Sequence, residues 1–313
     1  MSSPIAFSVR LQPGDCHDSV KLLGSLRLSA VKVDGQSLGG LSGLAWDNDA
    51  GLLYALADDA RVFHLRPVFS DDHLISVQAV AAYRLRDRKN SPLVSPWDDA
   101  EGLAIANGDN GVADDTRLAV SFERKPRVIW YSATGQHLTE QPLPSALSNI
   151  TRYAEPNKAL EALALHPQWG LLTAPEWAMR GSAARQIPIV ALGSQPRLWS
   201  YPLAEAPNSA LVGMDVFPDG DLLTLERAFV SPLAPLIITL RRTQLQPIDS
   251  LTVTDVAVFD NSKGWILDNF EGLAHHREQR FFIVSDDNRR ASQQTLLVYF
   301  AVLGSPRMTR PSP

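Results

Sequence analysis

The chain has 313 residues, of which 45% are hydrophobic and 20% charged, with a formal net charge of −5. This composition is typical of a soluble globular protein, and the absence of a basic run argues against nucleic-acid binding. The single cysteine, Cys16, excludes an internal disulfide framework and a cysteine-based zinc site. No apolar stretch is long enough for a membrane-spanning helix, so no membrane partner is expected. The given chain shows no signal peptide, and the sequence fixes neither compartment nor oligomeric state.

In chain order, strand-like segments before residue 34 are followed by a motif that recurs five times. Each copy has a short strand start, a turn, and a second apolar strand that ends in acid, at a spacing of roughly 50 to 60 residues. The copies begin at Ser42-Gly43-Leu44, Glu101-Gly102-Leu103, Glu161-Ala162-Leu163, Val212-Gly213-Met214 and Glu271-Gly272-Leu273. Their second strands lead to Asp58, Glu123, Glu176, Glu226 and Asp286.

A third strand follows the acid in each repeat, and a fourth is recognisable in some of them. In the third repeat the segment Arg197–Tyr201 is predicted to be the third strand, after a long insertion at Trp177–Pro196. Repeats of four antiparallel strands with this length predict an all-β fold, a β-propeller. We expect six four-stranded blades around a central channel, in a single domain of residues 1–303. Residues 1–33 and 296–303 would close one blade, and residues 304–313 would form a flexible tail.

Strand direction brings the start of each first strand to the same end of the blade as the acid that ends the second strand. Glu101 should therefore neighbour Glu123, Glu161 should neighbour Glu176, and Glu271 should neighbour Asp286. In a closed propeller these acids converge on one mouth of the channel. Oxygen ligands without cysteine favour a hard cation, Ca²⁺, although another divalent ion is not excluded. The predicted metal ligands are Glu101, Glu161, Glu271, Asp58, Asp286 and Glu176.

Basic residues are interleaved with these acids and offer a different way of neutralising them. Arg124 follows Glu123, Arg227 follows Glu226, and Arg289 follows the last acid. The acids could therefore form salt bridges that only hold the blades together. The sequence leaves both interpretations open.

The same motifs resemble the phytase-like family, which is described by an esterase-like activity of phytase. The resemblance rests on Leu41–Asp47, Asp99–Leu103, Asn157–Leu163, Leu225–Phe229 and Asn269–Ala274, together with the acid-ending strands, and spans about residues 38 to 300. It implies a propeller with a hydrolase activity, and many relatives are exported. Glu161-Ala162 replaces the usual Glu-Gly, and Val212 stands where the second, third and fifth repeats have an acid.

If the resemblance extends to activity, the protein is a metal-assisted hydrolase of a phosphoester or a carboxyl ester at the acidic mouth. The cation would polarise the ester oxygen and orient water. Arg124, Arg227 or Arg289 would stabilise developing negative charge, and Glu123 or Glu226 would act as a base.

Two other functions fit the same features. A non-catalytic propeller could bind a small anion or a partner protein at its mouth, because fold alone does not decide function. A lactonase-like, Ca²⁺-dependent hydrolase would also place its metal at the channel. The insertion Trp177–Pro196 discriminates, since an enzyme should need it ordered over the mouth and enclosing a pocket, whereas a protein-binding platform should leave a broad open face.

Overall fold

The computed structural model describes residues 1–304 and shows an all-β propeller, as predicted. The final segment, 305–313, to which most of the predicted tail belongs, lies outside the described residues. No helix in the described part of the chain is long and apolar enough to cross a membrane.

The strands are numbered β1 to β24 in chain order. The N-terminal segment contains β1 (Ser2–Pro4), β2 (Cys16–His17), β3 (Val20–Leu28), β4 (Lys32–Val33) and β5 (Gln36–Ser37). Blade 1 consists of β6 (Leu41–Asp47), β7 (Leu52–Ala57), β8 (Arg61–Ser70) and β9 (His73–Arg84). Blade 2 consists of β10 (Ala100–Ala106), β11 (Arg117–Phe122), β12 (Arg127–Ser132) and β13 (His137–Gln141).

Blade 3 consists of β14 (Leu160–His166), β15 (Gly170–Pro175), β16 (Gln186–Ala191) and β17 (Arg197–Pro202). Blade 4 consists of β18 (Ser209–Val216), β19 (Leu222–Ala228), β20 (Ile237–Leu245) and β21 (Leu251–Asp260). Blade 5 contains β22 (Asn269–Arg277), β23 (Arg280–Asp286) and β24 (Thr295–Val302), with β3 as its fourth strand. One helical turn, α1 (Ser145–Ser148), and the 3₁₀ turns Ile150–Arg152 and Asn261–Lys263 lie in connections.

The described chain forms five blades, so the prediction of six was wrong. The inner strands of neighbouring blades contact one another all round, from β6 through β10, β14 and β18 to β22 and back to β6. The N-terminal strand β3 pairs antiparallel with β24, from Thr295↔Leu28 to Val302↔Val20. The two ends of the chain therefore complete the fifth blade, whereas the prediction had assigned them to a separate sixth blade.

The strand assignment of the third repeat also needs correction. The predicted insertion contains β16, which pairs with β15 and is the true third strand of blade 3. The segment predicted as the third strand lies in β17, at the outer edge. The sequence concealed β16 because Pro188 interrupts its short apolar run, and proline is uncommon within a sheet.

Apolar side chains fill the interfaces between neighbouring blades. Among residues 1–304 there are five buried clusters, and each joins side chains of two adjacent blades. Tyr131 and Phe122, for example, lie in the cluster between blades 1 and 2, and Trp199 lies between blades 3 and 4. The hydrophobic core therefore consists of separate clusters arranged around the channel axis, and the inner strands line the axis itself.

The repeated glycine lets these inner strands come close together at the axis. A Cβ atom on Gly43 would lie 2.8 Å from the Glu101 carbonyl oxygen, and one on Gly213 would lie 2.7 Å from that of Glu271. On Gly102 it would overlap the Glu161 carbonyl oxygen. The free volume at the axis is accordingly only about 10 Å³. Glycine is thus needed at these positions for close approach of two backbones.

We therefore expect Gly102→Ala to destabilise the propeller by about 3 kcal/mol, because the added methyl group must displace a neighbouring strand. The matched control is Gly193→Ala, where the added atom meets nothing within 4 Å. Urea unfolding of both variants measures the difference. Equal unfolding free energies would contradict the close packing at the axis.

A candidate metal centre at the channel mouth

A β-bulge at the same point of every inner strand aims one residue at the same end of the channel. In β6, β14, β18 and β22 one residue between two successive ladder pairs has no partner on the second strand, and in β10 two residues oppose one. Bulges of this kind bend a strand and redirect a side chain. The bulged residues, here called the inner ring, are Ser42, Glu101, Glu161, Val212 and Glu271.

A second set of residues follows the second strand of each blade at the same end. On the second strand of each blade, one residue pairs with the inner-strand residue that directly precedes the bulge. In blades 1 to 5 this residue is Ala57, Phe122, Pro175, Glu226 and Ser285. The next residue in each blade forms what we call the outer ring: Asp58, Glu123, Glu176, Arg227 and Asp286. In blade 4 the position that holds an acid elsewhere is therefore occupied by Arg227.

This register corrects the role predicted for Glu226. Glu226 lies one residue before the outer ring, and its carboxylate is buried between blades 3 and 4. It accepts hydrogen bonds from Tyr201 Oη at 2.6 Å, Ser209 Oγ at 2.6 Å and the Ala204 N–H at 2.7 Å. Arg241 Nη1 lies 3.1 Å away. The structure does not bring Glu226 to the channel mouth, because adjacent residues of a strand face opposite sides.

Carboxylates from blades 2 and 3 form two overlapping triplets at the mouth. Oxygen atoms of Asp99, Glu101 and Glu123 lie within 4.8 Å of one another, and so do those of Glu123, Glu161 and Glu176. Glu123 belongs to both triplets. The predicted neighbours Glu101 and Glu123, and likewise Glu161 and Glu176, are therefore in contact range. Asp99 was not predicted as a ligand, although its position two residues before Glu101 was a usable signal.

Burial and mutual repulsion raise the pKa values of these carboxyl groups. Burial, followed by the charges of Glu161, Glu123 and Glu271, raises the pKa of Glu101 well above its usual range. Burial together with Glu176 and Glu123 does the same to the pKa of Glu161. The pKa of Glu123 is raised to about 8, chiefly by burial and then by Glu176. The protein groups nearby thus leave the cluster short of positive charge.

Arg124 pairs with Asp99, and two less exposed cations, Lys158 and Arg227, partly neutralise the cluster at Glu176. Lys158 Nζ lies 2.7 Å from Glu176 Oε2, and Arg227 Nη2 lies 3.1 Å from Glu176 Oε1. Arg227 also forms an ion pair with Glu271 and donates to Asn269, whose amide donates to Glu271 Oε1 at 2.9 Å. The charge of Glu271 is therefore neutralised by its ion pair with Arg227, whereas the triplets keep more carboxylates than nearby cations.

The remaining predicted residues lie around this centre. Asp58 accepts from Arg289 Nη2 at 2.6 Å, on the side of blades 1 and 5. Burial and then Glu271 raise the pKa of Asp286 to about 8, so the predicted Glu271 and Asp286 are electrostatic neighbours. Arg124 Nε lies 3.1 Å from Asp99 Oδ2, and about half of its side chain is exposed. Asp58, Asp286 and Arg289 are outside both triplets.

The triplets have the properties of a hard-cation site. All donors are carboxylate oxygens, and their separations suit an ion with oxygen ligands at about 2.3–2.6 Å. The carboxylates of Glu101 and Glu161 receive no hydrogen bond from the other residues described, so their lone pairs remain available. A divalent ion shared by Glu123 would remove the repulsion that raises the pKa values. Acidic clusters that could hold a metal are thus present, as predicted.

The comparison with protein families agrees with this architecture. The chain matches the family model "Phytase-like: Esterase-like activity of phytase" over residues 36–289. The chain belongs to the phytase-like family. No curated relative matches it.

Two solved structures are similar to this phytase-like chain at low identity. One is described as the structure of U3-55K, with a TM-score of 0.40, 9% identity, and coverage of 85% of this chain and 97% of that one. The other is a luciferin-regenerating enzyme, with a TM-score of 0.42, 12% identity, and coverage of 85% and 94%. Similarities at this level say nothing about activity.

The raised pKa of Glu123 predicts a stability that depends on pH in the metal-free protein. Its pKa rises from an ordinary 4.5 to about 8, so the folded state retains a proton that the unfolded state has lost. The contribution of Glu123 to stability should therefore be largest below pH 4.5 and should fall as the pH rises towards 8, by up to about 1.4 kcal/mol per pH unit. Glu123→Gln should reduce this slope and be more stable than wild type at pH 8.

Urea unfolding in EDTA between pH 5 and pH 8 measures this difference. Part of the slope should persist in the variant, because the pKa of Asp286 is also raised to about 8. Parallel stability curves for the variant and wild type would show that Glu123 is not protonated in the folded state.

Proposed function

We propose that this protein is a metal-assisted ester hydrolase that acts at the acidic mouth of its channel, with a phosphoester as the favoured substrate and a carboxyl ester as the alternative. The observation that carries the proposal is the pair of carboxylate triplets sharing Glu123, next to a cavity that contains basic side chains. Membership of a family described by esterase-like activity supports it.

The cavity has a volume of about 490 Å³ and adjoins the metal centre through Lys158 and Arg227, which both contact Glu176. Lys158, Arg227 and Arg290 line it, together with the amide of Asn269. Arg290 is exposed and forms no ion pair with any residue in 1–304. Cationic side chains next to a divalent-ion site suit an anionic substrate group, and arginine suits phosphate in particular.

The chain's own groups would divide the work of hydrolysis. A divalent cation held by Glu101, Glu123, Glu161 and Glu176 would supply Lewis acidity towards an ester oxygen. Arg227, held in place by Glu176, Glu271 and Asn269, would stabilise negative charge that develops beside the cluster. Glu123 would be a ligand of the cation, because it belongs to both triplets, and would therefore not act as the base that the sequence suggested.

The segment between β15 and β16 is ordered beside the mouth, which supports an enzyme, but none of its residues lines the cavity. Arg180 ties this segment to the connection before β14, since its Nε donates to the Tyr153 carbonyl at 2.7 Å and its N–H donates to that of Arg152 at 2.8 Å. Trp177 lies against Lys158, with Nζ 5.2 Å from the ring centroid. The insertion is thus folded beside the mouth, as expected for a group that positions Lys158.

Divalent cations should stabilise the protein if the triplets hold a metal. Added Ca²⁺, Mg²⁺ or Mn²⁺ at about a hundredfold excess over Kd should raise the Tm by about 5 °C relative to EDTA-treated protein. Glu161→Gln should remove most of this shift while the variant stays folded, because the amide is a weaker ligand than the carboxylate.

A matched control for this thermal melt is Glu278→Gln, in the hairpin at the opposite end of the channel, where the side chain is 73% exposed. It should retain the full shift. Absence of a shift with all three ions, or an equal shift in Glu161→Gln, would exclude the triplets as the metal site and favour acids neutralised by basic side chains.

Arg290 should contribute to substrate binding more than to the chemical step. Arg290→Ala should raise KM for a chromogenic phosphomonoester about fivefold and leave kcat within about twofold, because an exposed charge contact contributes about 1 kcal/mol. The control is Arg66→Ala, an exposed arginine of β8. An unchanged KM for Arg290→Ala would place the substrate outside this cavity.

A further inference from the structure

One wall of the cavity beside the metal centre is apolar. It is formed by Phe229, Pro232 and Leu236, which belong to the connection between β19 and β20. This connection begins directly after Ala228, two residues beyond the outer-ring residue Arg227. The apolar wall is therefore held close to the basic groups and the carboxylates by the same strand.

The apolar side chains of this connection are exposed. Phe229 is 48% exposed, Val230 is 51% exposed and Leu233 is fully exposed. Phe229 forms no aromatic pair with another ring in residues 1–304, so its ring is not needed to complete the core. Contiguous exposed apolar groups at the edge of a cavity commonly mark a ligand-binding surface.

The other residues that line the cavity are polar, and Arg290 and Lys158 among them carry positive charge. The acid Asp268 also lines the cavity and is already engaged. Its carboxylate accepts from the Gln294 N–H at 2.7 Å and from the Asn269 N–H at 2.9 Å. Asp268 thus holds the connection between β23 and β24 in place, and its oxygens are occupied. The cavity thus offers basic side chains to an anionic group and apolar side chains to the remainder of the same ligand.

We propose that the substrate is an amphiphilic ester, with an anionic group bound at Lys158 and Arg290 and an aryl or acyl group packed on Phe229, Pro232 and Leu236. This inference rests on the proposed hydrolase function and adds the substrate class. It selects against esters that are hydrophilic throughout, such as a polyol polyphosphate, because these would leave the apolar wall exposed to water.

Binding of two phosphonates tests this proposal without turnover. Phenylphosphonate and methylphosphonate carry the same anionic group and differ in apolar size. Isothermal titration calorimetry of the Ca²⁺-loaded protein should show phenylphosphonate binding about tenfold more tightly. Phe229→Ser should reduce this preference to about twofold by weakening phenylphosphonate alone. The matched control is Leu198→Ser, where an exposed apolar residue of β17 far from the cavity is removed.

The outcomes separate this inference from the hydrolase proposal. Equal affinities of the wild type for both phosphonates, binding of neither, or an unchanged preference in Phe229→Ser would each overturn the amphiphilic substrate. Turnover is measured separately, with phenyl phosphate and glycerol phosphate. Failure to hydrolyse either ester would contradict the hydrolase, while a retained phenyl preference in binding would still support the apolar wall.

Discussion

Repulsion between buried carboxylates at one end of the channel is the constraint on which the rest of the site depends. Two like charges about 4.8 Å apart repel by about 3 kcal/mol in a partly polar protein environment. Lys158 and Arg227 neutralise only part of the cluster, so the remaining charge must be removed by protonation or by a cation. The raised pKa values show that protonation removes the charge in the metal-free protein. The oxygen-only set of donors would also allow a hard cation to remove it.

The fold imposes this repulsion through backbone geometry. Five inner strands approach closely enough to require glycine at Gly43, Gly102 and Gly213, and the bulge beside each glycine directs a side chain towards the mouth. The rings are nevertheless asymmetric. Blades 2 and 3 supply the triplets, whereas blade 4 supplies Val212 and Arg227. A repeated scaffold thereby produces one local acidic centre beside a cavity that basic side chains line in part, in place of a uniform acidic ring.

Local sequence patterns were sufficient to predict the propeller and the pairing of Glu101 with Glu123 and of Glu161 with Glu176, because each follows from one hairpin. The number of blades was not predictable in this way, since it depends on the long-range pairing of β3 with β24. The prediction that Glu226 lies at the channel mouth was wrong for a different reason. A shift of one residue moves a side chain to the other face of a strand, and the adjacent Glu226 and Arg227 cannot be distinguished without the register.

The most direct test of a cation at the shared carboxylates is anomalous diffraction from crystals grown with Mn²⁺. We predict an anomalous peak at the channel mouth, within about 2.5 Å of carboxylate oxygens of Glu123 and at least two of its triplet partners. A map with no anomalous peak at the channel mouth would contradict the account, and so would a map in which Lys158 or Arg124 fills that space. The acids would then be salt-bridge partners only.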